Sequence, residues 1–218
     1  MKRRCGGPSA GWAGRRKQDT GSRAERDEAA RHAGREAAAQ LDPEQLVCVD
    51  ERGTNSSLTR LSGWAPHDHR ATGAVPRTPG KNTTLVAALA PDGVHVPWMI
   101  EGARDSDSFA WSITEQLAPT LRPGQIVVLE HLSVQKAERM RHAIEARPCQ
   151  LLFLPPSSPA FTPLEQAFSK SKGLLRGPGA RTTEALWEAM RVAVEAITRN
   201  DALAWFAHAG YALSAQAT

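Results

Sequence analysis

Three carboxylates stand at the boundaries of patterned segments: Asp50 after the apolar run LVCV, Glu130 after IVVL, and Glu165 in the first turn of the helix pattern that follows QLLFL. Carboxylates that converge from strand ends attract hard divalent cations such as Mg²⁺, which take oxygen ligands and leave positions for water and phosphate oxygens. In two-ion sites the ions lie about 3.5–4 Å apart, where they activate a nucleophile and stabilise the leaving oxygen of a phosphodiester. Two plainer readings stand beside this one. Acidic residues commonly punctuate solvated strand ends, and Thr162-Pro163-Leu164-Glu165 fits a capping box with proline at the first helical position. Spacing alone leaves all three open.

The acids need elements to position them. The run 46–49 reads as a short strand buried on both faces that ends on Asp50. KNTTLVAALAPDGVHVPWMIEG predicts two strands around a hairpin turn at Pro91-Asp92-Gly93. In SDSFAWSITEQLAPTL, Phe109, Ile113 and Leu117 recur at four-residue steps, which predicts a helix closed by Pro119. GQIVVLE is a fourth strand. Ser133 is placed to cap a helix running to about residue 146, with Ala137, Met140 and Ile144 on its inner face. CQLLFLPP is a fifth strand, stopped by Pro155 and Pro156. TPLEQAFSKSKGLL is a helix with Leu164, Phe168 and Leu175 on one side, and 182–198 and 200–209 are two more, the first carrying Leu186, Met190, Val194 and Ile197. The class is α/β, a mixed sheet with helices on its faces. If strands one and four are neighbours, Asp50 and Glu130 emerge on one edge, and the helix after strand five can return Glu165 to them.

Composition bounds the rest. The 218 residues are 41% apolar and 23% charged, enough for one globular domain. Residues 1–40 hold ten Lys/Arg against five Asp/Glu, and the remainder holds seventeen against eighteen, so the net charge of +4 sits in the leader. Residues 1–22 are rich in Gly, Arg and Ser and read as a disordered basic leader, 23–42 as an Ala-rich connecting helix, 43–211 as the patterned domain and 212–218 as a tail. Cys5, Cys48 and Cys149 are too few and too scattered for a disulfide framework or zinc knuckle. No run approaches the ~18 apolar residues of a membrane span and no signal peptide opens the chain, so no membrane partner is expected and the default location is cytoplasmic.

Six segments, LVCVDERG, GWAP, PGKNTTLVAALAPDGV, LAPTLRPGQIVVLEHLS, LLFLPPSSPAFTPLEQAFSKSKGLLR and FAHAGY, together resemble the DDE-type transposases of bacterial insertion sequences in the mariner superfamily. The resemblance runs from about residue 25 to residue 211, and the 34 residues between Glu130 and Glu165 match the family's interval. It implies a ribonuclease-H-like five-stranded mixed sheet flanked by helices. It also implies Mg²⁺ (or Mn²⁺) held by Asp50, Glu130 and Glu165 as metal ligands and catalytic residues, DNA as substrate, DNA cleavage and strand transfer as the reaction, and self-association, with no small-molecule cofactor. Lys81, in GKNTT, is the candidate for a contact to the nucleic-acid backbone.

The departures from the family pattern are equally specific. The second motif usually reads Asp-Asn with a His four residues beyond the Asn; here the positions hold Glu130, His131 and Gln135. Ser157, Ala160 and Thr162 stand where the third motif favours Tyr, Asp and Asn, and Arg52 stands where a small hydroxyl residue is common. Glu in place of Asp moves the carboxylate outward by one C–C bond, about 1.5 Å, and a misplacement of about 1 Å can cost on the order of 10²-fold in a geometry-dependent step. A weakened or inactive copy is therefore expected. The helix-turn-helix modules that precede the catalytic domain in full-length relatives find no counterpart in the first 40 residues, so the chain reads as truncated. The alternative is a non-catalytic DNA-contacting or partner-binding remnant that uses its basic leader, with DNA affinity that falls steeply with salt.

Overall fold

The structure, a computed structural model, describes residues 40–77, 80, 82–102, 106–129, 134–154 and 162–211. Among these, β1 (Leu46–Asn55), β2 (Asn82–Ala90), β3 (Gly93–Glu101), β4 (Ile126–Leu129) and β5 (Gln150–Phe153) form one mixed sheet in the order β3-β2-β1-β4-β5. β1 pairs antiparallel with β2 and parallel with β4, and β5 continues parallel beside β4. Cys48 is thus level with both Leu89 and Val128. The hairpin between β2 and β3 turns where expected, with Gly93 at φ +135°, a backbone setting that favours glycine.

Among the described residues, five α-helices cover the sheet: α1 (Ser106–Trp111), α2 (Val134–Glu145), α3 (Leu164–Leu175), α4 (Thr183–Glu195) and α5 (Arg199–His208). Alternation along the strands divides the interior into two cores, because successive side chains point to opposite faces. Leu46, Cys48, Ile126 and Val128 meet Leu164, Phe168, Met190 and Phe206 of α3, α4 and α5. Val47, Val49, Val127 and Leu129 meet Phe109, Ile113, Met140 and Ile144 on the other side. Both faces of the central strands are covered, which is why their sequences are continuously apolar. The ribonuclease-H-like arrangement expected from the sequence is the one found.

Three expectations need correction or narrowing. β1 does not end at Asp50 but runs on to Asn55, paired with β2 as far as Asn55↔Asn82. Only the buried part stops there, since the side chains beyond Val49 leave the core while the backbone ladder continues. The helix after β3 is α-helical only to Trp111, then widens into a π-helical turn over Ser112–Leu117 and tightens to a 3-10 turn at Ala118–Thr120. Pro119 does not close it. The Ala118 amide bonds Ile113 O in a wide turn just before a proline, which has no amide of its own and would crowd a regular α-turn. Of the expected connecting helix, only 40–42 falls among the described residues, and these form a turn and bend leading into the 3-10 turn Pro43–Gln45. The basic leader and the tail lie outside the described residues.

Between β1 and β2, the described residues 56–77 form no helix or strand and expose Leu61, Trp64 and Val75. Their start is held by Arg181, whose Nη1 donates to Ser56 O at 2.8 Å and Leu58 O at 3.0 Å. No helix among the described residues is long and apolar enough to cross a membrane.

Candidate active site

Strand alternation fixes where Asp50 sits. Leu46 and Cys48 face α3, Val47 and Val49 face away, so Asp50 and Arg52 belong to the face of β1 that α3 covers. Asp50 is half-buried, at the point where the core gives way to solvent, and its Oδ1 accepts the Glu51 amide at 2.8 Å. The packing of Leu164 and Phe168 against the core that holds Leu46 and Cys48 lays the first two turns of α3 over this face.

Glu165 lies in the first turn of α3, and its Oε2 is 3.5 Å from Arg52 Nη1. Arg52 follows Asp50 by two residues, one pleat or about 7 Å along the strand on the same face. That contact places Glu165 over the face of β1 to which Asp50 belongs. The capping-box reading of Thr162 to Glu165 is not realised. Pro163 occupies the cap position without a side-chain cap bond, and the buried Thr162 Oγ1 has no hydrogen-bond partner among the described residues.

Glu130 and Lys81 fall outside the described residues, and among those described no group of three or more His, Cys, Asp or Glu side chains is arranged to hold a metal ion. Asp50 and Glu165 are the two carboxylates of the expected set that the structure describes. Their hard oxygen donors suit a divalent cation such as Mg²⁺ or Mn²⁺, and among the described residues Glu165 meets the Arg52 guanidinium.

Two basic residues of β1 and α3 were given no role in the site by the sequence. Arg52 is one. Lys172 is the other: it lines, with Arg52, Thr54, Phe168 and Met190, a small cleft between β1 and α3. Both signals were present in the numbering, since i+2 on a strand and i+7 on a helix return to the same face. His67 is exposed, with its Nδ1 2.8 Å from Oδ2 of the neighbouring Asp68.

The family described as DDE superfamily endonuclease matches residues 45–186. The fold is similar to that of a solved Mos1 transposase paired-end complex with left transposon end, at a TM-score of 0.67 and 15% identity over 91% of this chain and 64% of that one. A mariner Mos1 paired-end complex with Mg gives 0.57 and 14% over 90% and 65%. A Mos1 transposase catalytic domain with Raltegravir and Mn gives 0.56 and 12% over 85% and 92%. The chain thus spans less than two thirds of the Mos1 chain in the first of these complexes but most of the isolated catalytic domain. No curated protein sequence matches it.

Proposed function

Because this chain belongs to the DDE superfamily of endonucleases, we propose that it is a DNA-cleaving, strand-transferring catalytic domain whose Asp50, Glu130 and Glu165 hold Mg²⁺ or Mn²⁺. The observation that carries this reading is the position of Glu165, paired with Arg52 across the face of β1 that bears Asp50 rather than folded back onto its own helix. The register supports Glu130 as the third ligand. Cys48 and Val128 are level in the parallel β1–β4 pair, and Asp50 and Glu130 each follow by two residues in sequence.

When bound, the metal supplies activation of a water or DNA 3′-hydroxyl and charge stabilisation of the leaving oxygen. The chain's own part is positional. The paired backbone of β1 fixes Asp50, and the buried Leu164 and Phe168 fix the helix turn that presents Glu165. Lys172 and Arg52 line a small cleft between β1 and α3 and would add positive charge toward a phosphodiester backbone. Self-association on DNA belongs to the same proposal, and so does Lys81 as a backbone contact. The longer side chain of Glu130 would lower the rate relative to an Asp at that position, in line with the weakened or inactive copy expected from the sequence. The non-catalytic alternative rests on the leader, outside the described residues.

The test is nicking of supercoiled plasmid in Mg²⁺ or Mn²⁺. Metal-dependent nicking that falls by on the order of 10²-fold or more in Asp50→Asn and in Glu165→Gln supports the proposal. Nicking that persists in both variants counts against the site, and no nicking above background in the wild type with either metal counts against cleavage by this copy, the inactive outcome expected from its second motif.

A further inference from the structure

We propose that Arg52 sets the metal affinity of this site by acting as an internal cation on Glu165, one that a divalent ion must displace. The inference rests on the reading that Asp50 and Glu165 hold the ion. Arg52 Nη1 is 3.5 Å from Glu165 Oε2, with the two side chains 48% and 37% exposed. A pair this open to solvent is weak and breaks readily. Its guanidinium, however, remains charged at any working pH and offers donors only, so it competes for the carboxylate without helping to coordinate a metal.

Displacement does not remove the charge. Arg52 belongs to a paired stretch of β1, level with Leu85 of β2, so its backbone stays about 7 Å from that of Asp50 even when its side chain swings away. That is within the physiological Debye length of about 8 Å. A positive charge tethered to that strand position, roughly 7 Å or more from a doubly charged ion and partly screened, weakens binding about two- to threefold in surroundings close to water. The same residue that makes Glu165 visible at the site therefore lowers the occupancy of the site by metal.

The experiment titrates Mn²⁺ into the full chain without DNA, following water-proton relaxation, with circular dichroism to confirm the fold of each variant. Arg52→Gln is expected to bind Mn²⁺ about two- to threefold more tightly than the wild type at physiological salt, and by more at low salt, whereas Arg52→Lys, which keeps the charge, binds as the wild type does. Equal affinity in Arg52→Gln and wild type, with Glu165→Gln still weakening binding, overturns the inference and leaves the site standing. Binding that neither Glu165→Gln nor Asp50→Asn weakens overturns both.

Discussion

Arg52 Nη1 lies 3.5 Å from Glu165 Oε2, a contact that joins the exposed half of β1 to the first turn of α3 across 113 positions of sequence. It depends on the apolar layer beneath it. α3 is held over β1 by the core shared with α4 and α5, so the geometry of the site and the stability of that core are one subject.

At the bottom of that layer Phe206 is fully buried and meets Tyr211 in a T-shaped contact with ring centroids 5.6 Å apart. Phe206→Ala removes most of a buried ring and leaves a cavity, and is expected to cost about 3–5 kcal/mol in denaturant unfolding. Val192→Ala, at a side chain 52% exposed on α4, should stay within about 0.5 kcal/mol. Similar losses at the two positions would mean that the core is not where the structure places it.

The start of α5 predicts a pH signature. Thr198 and Asp201 form a capping box, and Lys170 Nζ reaches from α3 to Asp201 Oδ2 at 2.6 Å and to Ala196 O at 3.0 Å. The Lys170 ammonium first, then the Thr198 amide and hydroxyl, hold the Asp201 carboxyl down to about 2. A carboxyl lowered on folding stabilises the native state above its unfolded value of about 3.9 and loses that contribution as pH falls toward the folded value. Asp201→Asn should therefore lower Tm at pH 7, and the gap to wild type should close between about pH 4 and pH 2. A gap that is constant down to pH 2 would show that the carboxylate is not engaged.

Cys48 and Cys149 should be inert in the native chain. Burial pushes the Cys48 thiol well above its ordinary range, a shift that a hydrogen bond with Tyr211 only partly opposes. Cys149 is also buried, its Sγ–H within 3.1 Å of Arg122 O and 3.0 Å of Arg147 O. The thiolate is the reactive form, so peptide mapping after iodoacetamide at pH 8 should find neither modified until denaturant is added. Labelling of Cys48 in the folded protein would contradict the packing of Tyr211 over it.

Much of the fold was readable locally. Continuous apolar runs marked β1, β4 and β5, the Pro-Asp-Gly turn marked the hairpin, and four-residue apolar steps marked the helices. What the runs could not show was backbone pairing without burial: Glu51 to Asn55 carry no strand-like apolar pattern, yet they are paired because β2 lies beside them. Of the candidate site, Asp50 and Glu165 drew notice as acids beside apolar runs; Asp50 lies within β1 rather than at its end, and α3 lays Glu165 over the same face of the strand. The Arg52 contact was not legible, because it depends on how α3 crosses the sheet, which no stretch of sequence around either residue encodes. The choice between a capping and a cross-sheet role for Glu165 was likewise decided by tertiary packing.

The most direct test of a shared metal site at Asp50 and Glu165 is anomalous diffraction from crystals of the full chain soaked in Mn²⁺. A single manganese peak within coordination distance of oxygens from both Asp50 and Glu165, with Arg52 turned away from Glu165, is the expected result. Manganese bound only elsewhere, with the Arg52–Glu165 pair intact, would contradict it.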